Sequence, residues 1–132
     1  MLSSTLSFSS ATTTRLDRAV LMVRQVDQSL PFYQQGLGLN VLRHVEDNFA
    51  ELEIADGIKL ILQQNNTNNE AVLCTGYSPI LTFTVMDLNH TIATCIPFGA
   101  HLDGPIQYPA HGKVAALRSP DGHMIGLYEE PL

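Results

Sequence analysis

At 132 residues, with 45% hydrophobic and 15% charged side chains, the chain has the size and composition of one compact domain with its own core. Seven Lys and Arg against thirteen Asp and Glu leave a net charge of −6, and the basic residues are scattered singly, which excludes a nucleic-acid-binding surface. No run nears the ~18 apolar residues of a membrane span, and two cysteines without CxxC or CxxH spacing give neither a disulfide framework nor a zinc site.

Residues 1–14 are rich in Ser and Thr and hold no charged side chain. They read as a tail, ending near residue 15, that is either frayed or an added strand. The alternative is a transit-peptide remnant, so the expected location is the cytoplasm or, on that alternative, an organelle. The domain proper is expected over 16–132. Arg18–Val23 alternates, with Ala19, Leu21 and Val23 on one face and Arg18, Val20 and Met22 on the other. A helix is expected over Asp27–Leu37, capped by Asp27 or Ser29, with Pro31 in its first turn and Gly36 and Gly38 at its end. Strands follow at Leu39–Val45 and Phe49–Ile54, and the Ala55-Asp56-Gly57 turn leads to a strand over Ile58–Gln64. In these, Ala50, Leu52 and Ile54 oppose Phe49, Glu51 and Glu53, while Ile58, Leu60 and Leu62 oppose Lys59, Ile61 and Gln63.

The Asn-rich stretch 65–78 has little to bury and reads as a linker. Beyond it, Ile80–Val85 alternates again, with Leu81, Phe83 and Val85 opposite Ile80, Thr82 and Thr84. A helix is expected over Leu88–Phe98, capped by Asp87 or Asn89, loosened by Pro97 and stopped by Gly99. Strands are expected at His101–Tyr108, Gly112–Arg118 and His123–Tyr128, the last two joined by the Ser119-Pro-Asp-Gly122 turn. Cys74 in the linker and Cys95 in the second helix read as small buried thiols.

The two halves repeat. Val23 to Val85 is 62 residues, Gly38 to Gly99 is 61 and Gly57 to Gly122 is 65. Near-constant offsets across strand, helix end and hairpin point to a duplication. The fold class is therefore α+β: two tandem βαβββ modules, over 16–64 and 79–130, forming a curved mixed sheet around a cavity.

Two motifs resemble a known superfamily. Val20-Leu-Met-Val-Arg-Gln-Val-Asp-Gln-Ser-Leu-Pro-Phe-Tyr33, followed by Gly36-Leu-Gly38, is similar to the opening of vicinal oxygen chelate proteins. That group includes glyoxalase I, extradiol dioxygenases and bleomycin-resistance proteins. Ser119-Pro-Asp-Gly-His-Met-Ile-Gly-Leu-Tyr128 resembles its closing hairpin, with Ser119 where the family usually has Asp. The resemblance spans residues 16–130 and implies the glyoxalase-like fold, often completed by dimerisation. Catalytic members hold a divalent metal through four side chains, and the metal works as a Lewis acid on two neighbouring substrate oxygens. By the resemblance those positions fall on Arg18, Ile61, Ile80 and Gly126. A guanidinium, two hydrocarbons and a glycine offer no lone pair to a metal, so no metal or other cofactor is expected.

What remains is a lined pocket. Strand parity gives it walls of Arg18, Met22, Glu51, Lys59, Ile61, Gln63, Thr82, Thr84, Met124 and Tyr128, apolar surface with a few polar groups. Arg18 is suited to a carboxylate or phosphate, or else pairs with Glu51, Glu53 or Glu129. Tyr128 either stacks on a ring or plugs the pocket. Glu51 and Glu53 face the cavity, where His111 or His123 would approach them, although each His reads as a solvated side chain near a turn or helix surface. The expected activity is metal-independent binding of a small molecule, by the resemblance cationic or aromatic, in a homodimer that uses neither nucleic acid nor membrane. The alternatives are a glyoxalase- or dioxygenase-type enzyme with a non-standard site, and a structural subunit with a closed pocket.

Overall fold

The computed structural model describes residues 14–131; the expectations for residues 1–13 lie outside them. The first module runs β1 (Arg18–Val23), α1 (Val26–Pro31), β2 (Asn40–Val45), β3 (Phe49–Ala55) and β4 (Ile58–Gln64). The second runs β5 (Leu81–Thr84), α2 (Leu88–Cys95), β6 (His101–Leu102), β7 (Lys113–Arg118) and β8 (Met124–Glu129). Each module is a four-stranded mixed sheet, ordered β1-β4-β3-β2 and β5-β8-β7-β6. In both, the first strand lies parallel to the last and the other pairs are antiparallel.

The alternation read from the sequence sets the layering. Leu21, Val23, Ala50, Leu52, Leu60 and Leu62 turn inward from the first sheet, and Leu117, Ile125 and Leu127 from the second. Both sets join one apolar cluster with the buried side chains of the two helices, among them Leu30, Phe32, Leu88 and Ile92. The opposite faces carry Arg18, Val20, Ile80, Thr82 and Thr84, all exposed. The helices cover one side of the sheets and leave the other open.

The termini of the first helix differ from the expectation. Its N-cap is Gln25, which makes no side-chain cap bond, and Pro31 lies at the end of α1 rather than in its first turn. Both side chains expected to cap are engaged elsewhere, Asp27 with His44 Nε2 at 2.7 Å and the Ser29 hydroxyl as a donor to Asp121. The first helical N–H is satisfied from a distance instead, by Gln64 Oε1 at 2.9 Å from Val26 N. After Pro31 the helix widens into a π turn over Phe32–Gly36, closed by the Leu37 N–H on Phe32 O at 2.9 Å. The second helix is capped by Asp87, as read, and its first N–H is likewise met by Glu129 Oε1 at 2.8 Å from Leu88 N. Gln64 and Glu129 are 65 residues apart, so the duplication extends to how each module ties its last strand to its own helix.

β6 is far shorter than the expected His101–Tyr108. Asp103-Gly-Pro105 interrupts it, with Gly104 at φ +90°, and pairing resumes only at the Gln107–Val114 bridge. Cys95 is buried as expected, and burial pushes its thiol up to about 11. Cys74 is exposed, against expectation: it ends a short 3-10 turn over Glu70–Leu73 and borders a cavity that opens to solvent.

One carboxylate joins the modules. Asp121, in the β7–β8 turn and 4% exposed, accepts from Arg24 N at 2.8 Å and from the Ser29 hydroxyl, while Arg24 Nη1 lies 3.5 Å from it. The same turn holds His123, whose Nε2 bonds Met22 O at 2.7 Å. Arg118 Nη1, which also donates to Gly122 O within the turn, then ties this hairpin to the linker through Thr75 O and Gly76 O. On the helix side the modules meet where Gly36 faces Cys95; a Cβ on Gly36 would lie 3.0 Å from Cys95 Sγ.

Removing the Asp121 carboxylate orphans two donors, the Arg24 N–H and the Ser29 hydroxyl, and leaves the Arg24 guanidinium with Glu70 as its remaining carboxylate partner. Asp121→Ala is expected to lower unfolding stability by about 3 kcal/mol, whereas Asp56→Ala, at the exposed turn of the first module, leaves it within about 0.5 kcal/mol. Urea denaturation of the two variants checks the contrast.

Candidate functional site

The open faces of the sheets carry two separate concavities. The one on the first sheet, about 380 Å³, is lined by Arg18, Val20, Arg43, Phe49, Glu51, Ile61 and Gln63. The one on the second sheet, about 330 Å³, has Ile80, Thr82, Val114, Ala116 and Gly126 on its floor and Asp103 and Pro105 on its rim. They share no lining residue. β1 and β5 are the edges of different sheets.

The ten residues read as one set of walls are therefore divided. Arg18, Glu51, Ile61 and Gln63 meet in the first-sheet pocket and Thr82 belongs to the second. Met22 and Met124 line a third cavity between the modules, with Cys74 and His123. Thr84 lies in a shallow surface depression with Met86 and Glu129. Lys59 sits beside Arg18 in the β1–β4 register, and its backbone N–H donates to Asp17 O at 3.1 Å. Tyr128 is half-buried, with its hydroxyl donating to His111 O at 2.6 Å.

In the first-sheet pocket, Arg18 Nε donates to Asp17 Oδ2 at 2.6 Å. The partner is the preceding residue, which lies just outside β1, not Glu51, Glu53 or Glu129. Arg18 holds the Asp17 carboxyl below its usual value by this bond and its charge. The other nitrogens of the Arg18 guanidinium have no partner among the described residues. Arg43 lies over the Phe49 ring, 4.9 Å from its centroid, and makes no ion pair among the described residues. Sequence reading missed Arg43, since β2 is an exposed edge strand with no clear alternation; its pairing with Glu51 across β2 and β3 is what turns it into the pocket. Glu51 lines this pocket, but Glu53 lies at the hairpin end with Ala55 and Asp56. Gln63 donates to Asn48 O at 3.2 Å, which leaves its carbonyl oxygen to accept.

No His approaches these carboxylates. His123 is buried against β1 rather than solvated, since the β7–β8 turn is the joint between the modules. Among the described residues no three His, Cys, Asp or Glu gather for a metal ion. The donor chemistry at Arg18, Ile61, Ile80 and Gly126 does not fit the divalent ion that the resemblance implies. At Gly126 sterics add to the mismatch: a Cβ there would lie 2.5 Å from Thr82 Oγ1 on the parallel neighbour.

Sequence reading also passed over a buried polar group. Tyr33 is wholly buried, and its hydroxyl makes no well-formed hydrogen bond within the described residues, with Ser119 and Asp121 as polar neighbours. Burial raises it above its ordinary value of 10.0. It faces the joint between the modules, not an open pocket.

A family model for the Glyoxalase/Bleomycin resistance protein/Dioxygenase superfamily matches residues 15–127. Among solved structures, a glyoxalase-related enzyme from Fulvimarina pelagi superposes with a TM-score of 0.71 at 19% identity, covering 89% of each chain. A glyoxalase/bleomycin resistance protein/dioxygenase family enzyme from Burkholderia phytofirmans gives 0.72 at 18% identity, over 89% of this chain and 100% of the other. A glyoxalase family protein from Bacillus cereus gives 0.71 at 20%, over 93% and 98%. Identities this low show the fold alone. No match is found among curated proteins.

The tight Gly126–Thr82 contact makes a double-mutant test. Gly126→Ala is expected to cost about 1–3 kcal/mol in the native chain and clearly less in a Thr82→Ala background, by urea denaturation of all four proteins.

Proposed function

Because the chain belongs to the glyoxalase/bleomycin resistance protein/dioxygenase superfamily, we propose that it is a metal-independent small-molecule-binding domain that holds an anionic ligand on its first sheet. The observation behind this reading is the pair of guanidinium groups, Arg18 and Arg43, on one concave face with Val20, Phe49 and Ile61. Two guanidinium forks can grip a carboxylate or phosphate in charge-assisted bonds, while the apolar floor takes a ring or short chain. Gln63 Oε1 and Glu51 are placed to accept from a hydroxyl on the same ligand. A cationic ligand has the net charge of −6 in its favour, but the two arginines oppose it at the pocket itself.

The dimer belongs to the same proposal. Both open faces hold exposed apolar side chains, Val20 at 52% and Ile80 at 49%. A second copy related by a two-fold axis would lay the first sheet of one chain against the second sheet of the other, closing each pocket with residues from both. Binding would then use Arg18 and Arg43 of one copy and the Thr82 face of its partner.

Thermal shift and calorimetry with small aromatic and aliphatic acids, phosphate esters and cationic aromatics test the ligand class. An acid or phosphate is expected to stabilise the chain by about 2.7 kcal/mol at a hundredfold its Kd. Arg18→Ala and Arg43→Ala are each expected to weaken it at least tenfold. Binding of cationic aromatics alone, or binding that requires one equivalent of divalent metal, overturns the reading. For the dimer, sedimentation is expected to give twice the chain mass, and Val20→Glu or Ile80→Glu to give monomer with unchanged circular dichroism.

A further inference from the structure

Between the modules lies a cavity of about 190 Å³, which meets the first-sheet pocket at Val20. Four of its lining residues are Met22, Cys74, His123 and Met124. They come from β1, the linker, the β7–β8 turn and β8, so only the docking of the second module's hairpin onto β1 brings them together. The rest of the lining is mainly hydrocarbon, including Leu21, Leu73 and Pro79.

Two thioethers, a thiol and an imidazole make a soft donor set, and no carboxylate shares the cavity. Ligand softness decides metal class here: thiolate and thioether sulfur favour monovalent copper and its congener silver, while oxygen-seeking ions need the carboxylates this cavity lacks. A hydrocarbon wall acts in the same direction, since it strips water from a singly charged ion at less cost than from a divalent one. The imidazole is held at one end. His123 Nε2 lies 2.7 Å from Met22 O, an acceptor only, so Nε2 donates there and Nδ1 is the ring atom left for an ion. Cys74 is exposed and its Sγ donates to Ala71 O at 3.5 Å, a weak bond that coordination would replace. Methionine side chains are flexible enough to close on an ion smaller than the cavity.

We propose that this inter-module cavity is a binding site for a soft monovalent metal ion of the copper(I) class. The Cys74 thiolate and the Met22 and Met124 thioethers are its ligands, and His123 Nδ1 the fourth donor. Binding forms the metal–sulfur and metal–nitrogen bonds and releases the Cys74 proton to solvent, with no change of oxidation state. The ion ties linker, β1 and β8 together, so it reinforces the joint made by Asp121. The site does not depend on the anion pocket, and Arg18→Ala leaves it intact.

Anaerobic titration of the full chain with copper(I) against a chromophoric copper(I) chelator tests this, beside silver(I) titration followed by the methyl carbon signals of methionine. One equivalent per chain is expected, with the Met22 and Met124 methyl signals shifting and that of Met86, 98% exposed, staying in place. Cys74→Ser is expected to weaken binding about a hundredfold, and Met22→Leu and Met124→Leu about tenfold each, with circular dichroism unchanged. X-ray absorption at the copper edge is expected to show sulfur neighbours near 2.3 Å, about the usual metal–thiolate distance. No binding in competition with the chelator, affinity unchanged by Cys74→Ser, or shifts confined to Met86 overturns the proposal.

Discussion

The Asp121 carboxylate sits almost fully buried between two modules that share no strand pairing, and it satisfies a backbone N–H, a hydroxyl and a guanidinium that all belong to the other module. A buried charge is tolerated only when such partners surround it. The relative placement of the sheets follows from meeting that condition. With Asp121 on Arg24 and Ser29, His123 reaches the end of β1, Arg118 draws in the linker, and the helices meet across Gly36 and Cys95. The cavity between the modules is a product of the same docking.

The duplication is faithful enough to repeat a capping bond yet broken at this joint. Gln64 and Glu129 do the same work in the two modules, each reaching from the last strand to the first N–H of its helix. Asp56 holds the place in the first hairpin that Asp121 holds in the second, but it is exposed. Met86, the counterpart of Arg24 by the 62-residue offset of Val23 and Val85, is 98% exposed. One hairpin closes on its neighbour and the other stays free, so a symmetric sequence gives an asymmetric chain.

That asymmetry bears on function. The positions that the resemblance assigns to a metal line two pockets that share no residue, Arg18 and Ile61 on the first sheet and Ile80 and Gly126 on the second. What the first sheet offers in their place is cationic and apolar. On the proposed reading those cations do the binding, and on the second sheet Gly126 leaves no room for a side chain beside Thr82.

Strand alternation, the repeat offsets and the Ser-Pro-Asp-Gly turn were enough to read the two βαβββ modules from the sequence, because side-chain parity and turn chemistry are local properties of consecutive residues. Asp87 was legible as a cap for the same reason. The cap on α1, the burial of His123 and the exposure of Cys74 were not, since each depends on how distant segments of the chain come to lie against one another. Arg43 stayed hidden because an edge strand carries no clear alternation, and only its register with Glu51 aims it into the pocket. The division of ten parity-matched residues among several cavities was decided by tertiary structure alone. Parity fixes the face on which a side chain stands, and only the packing of one sheet beside another fixes which faces share a space.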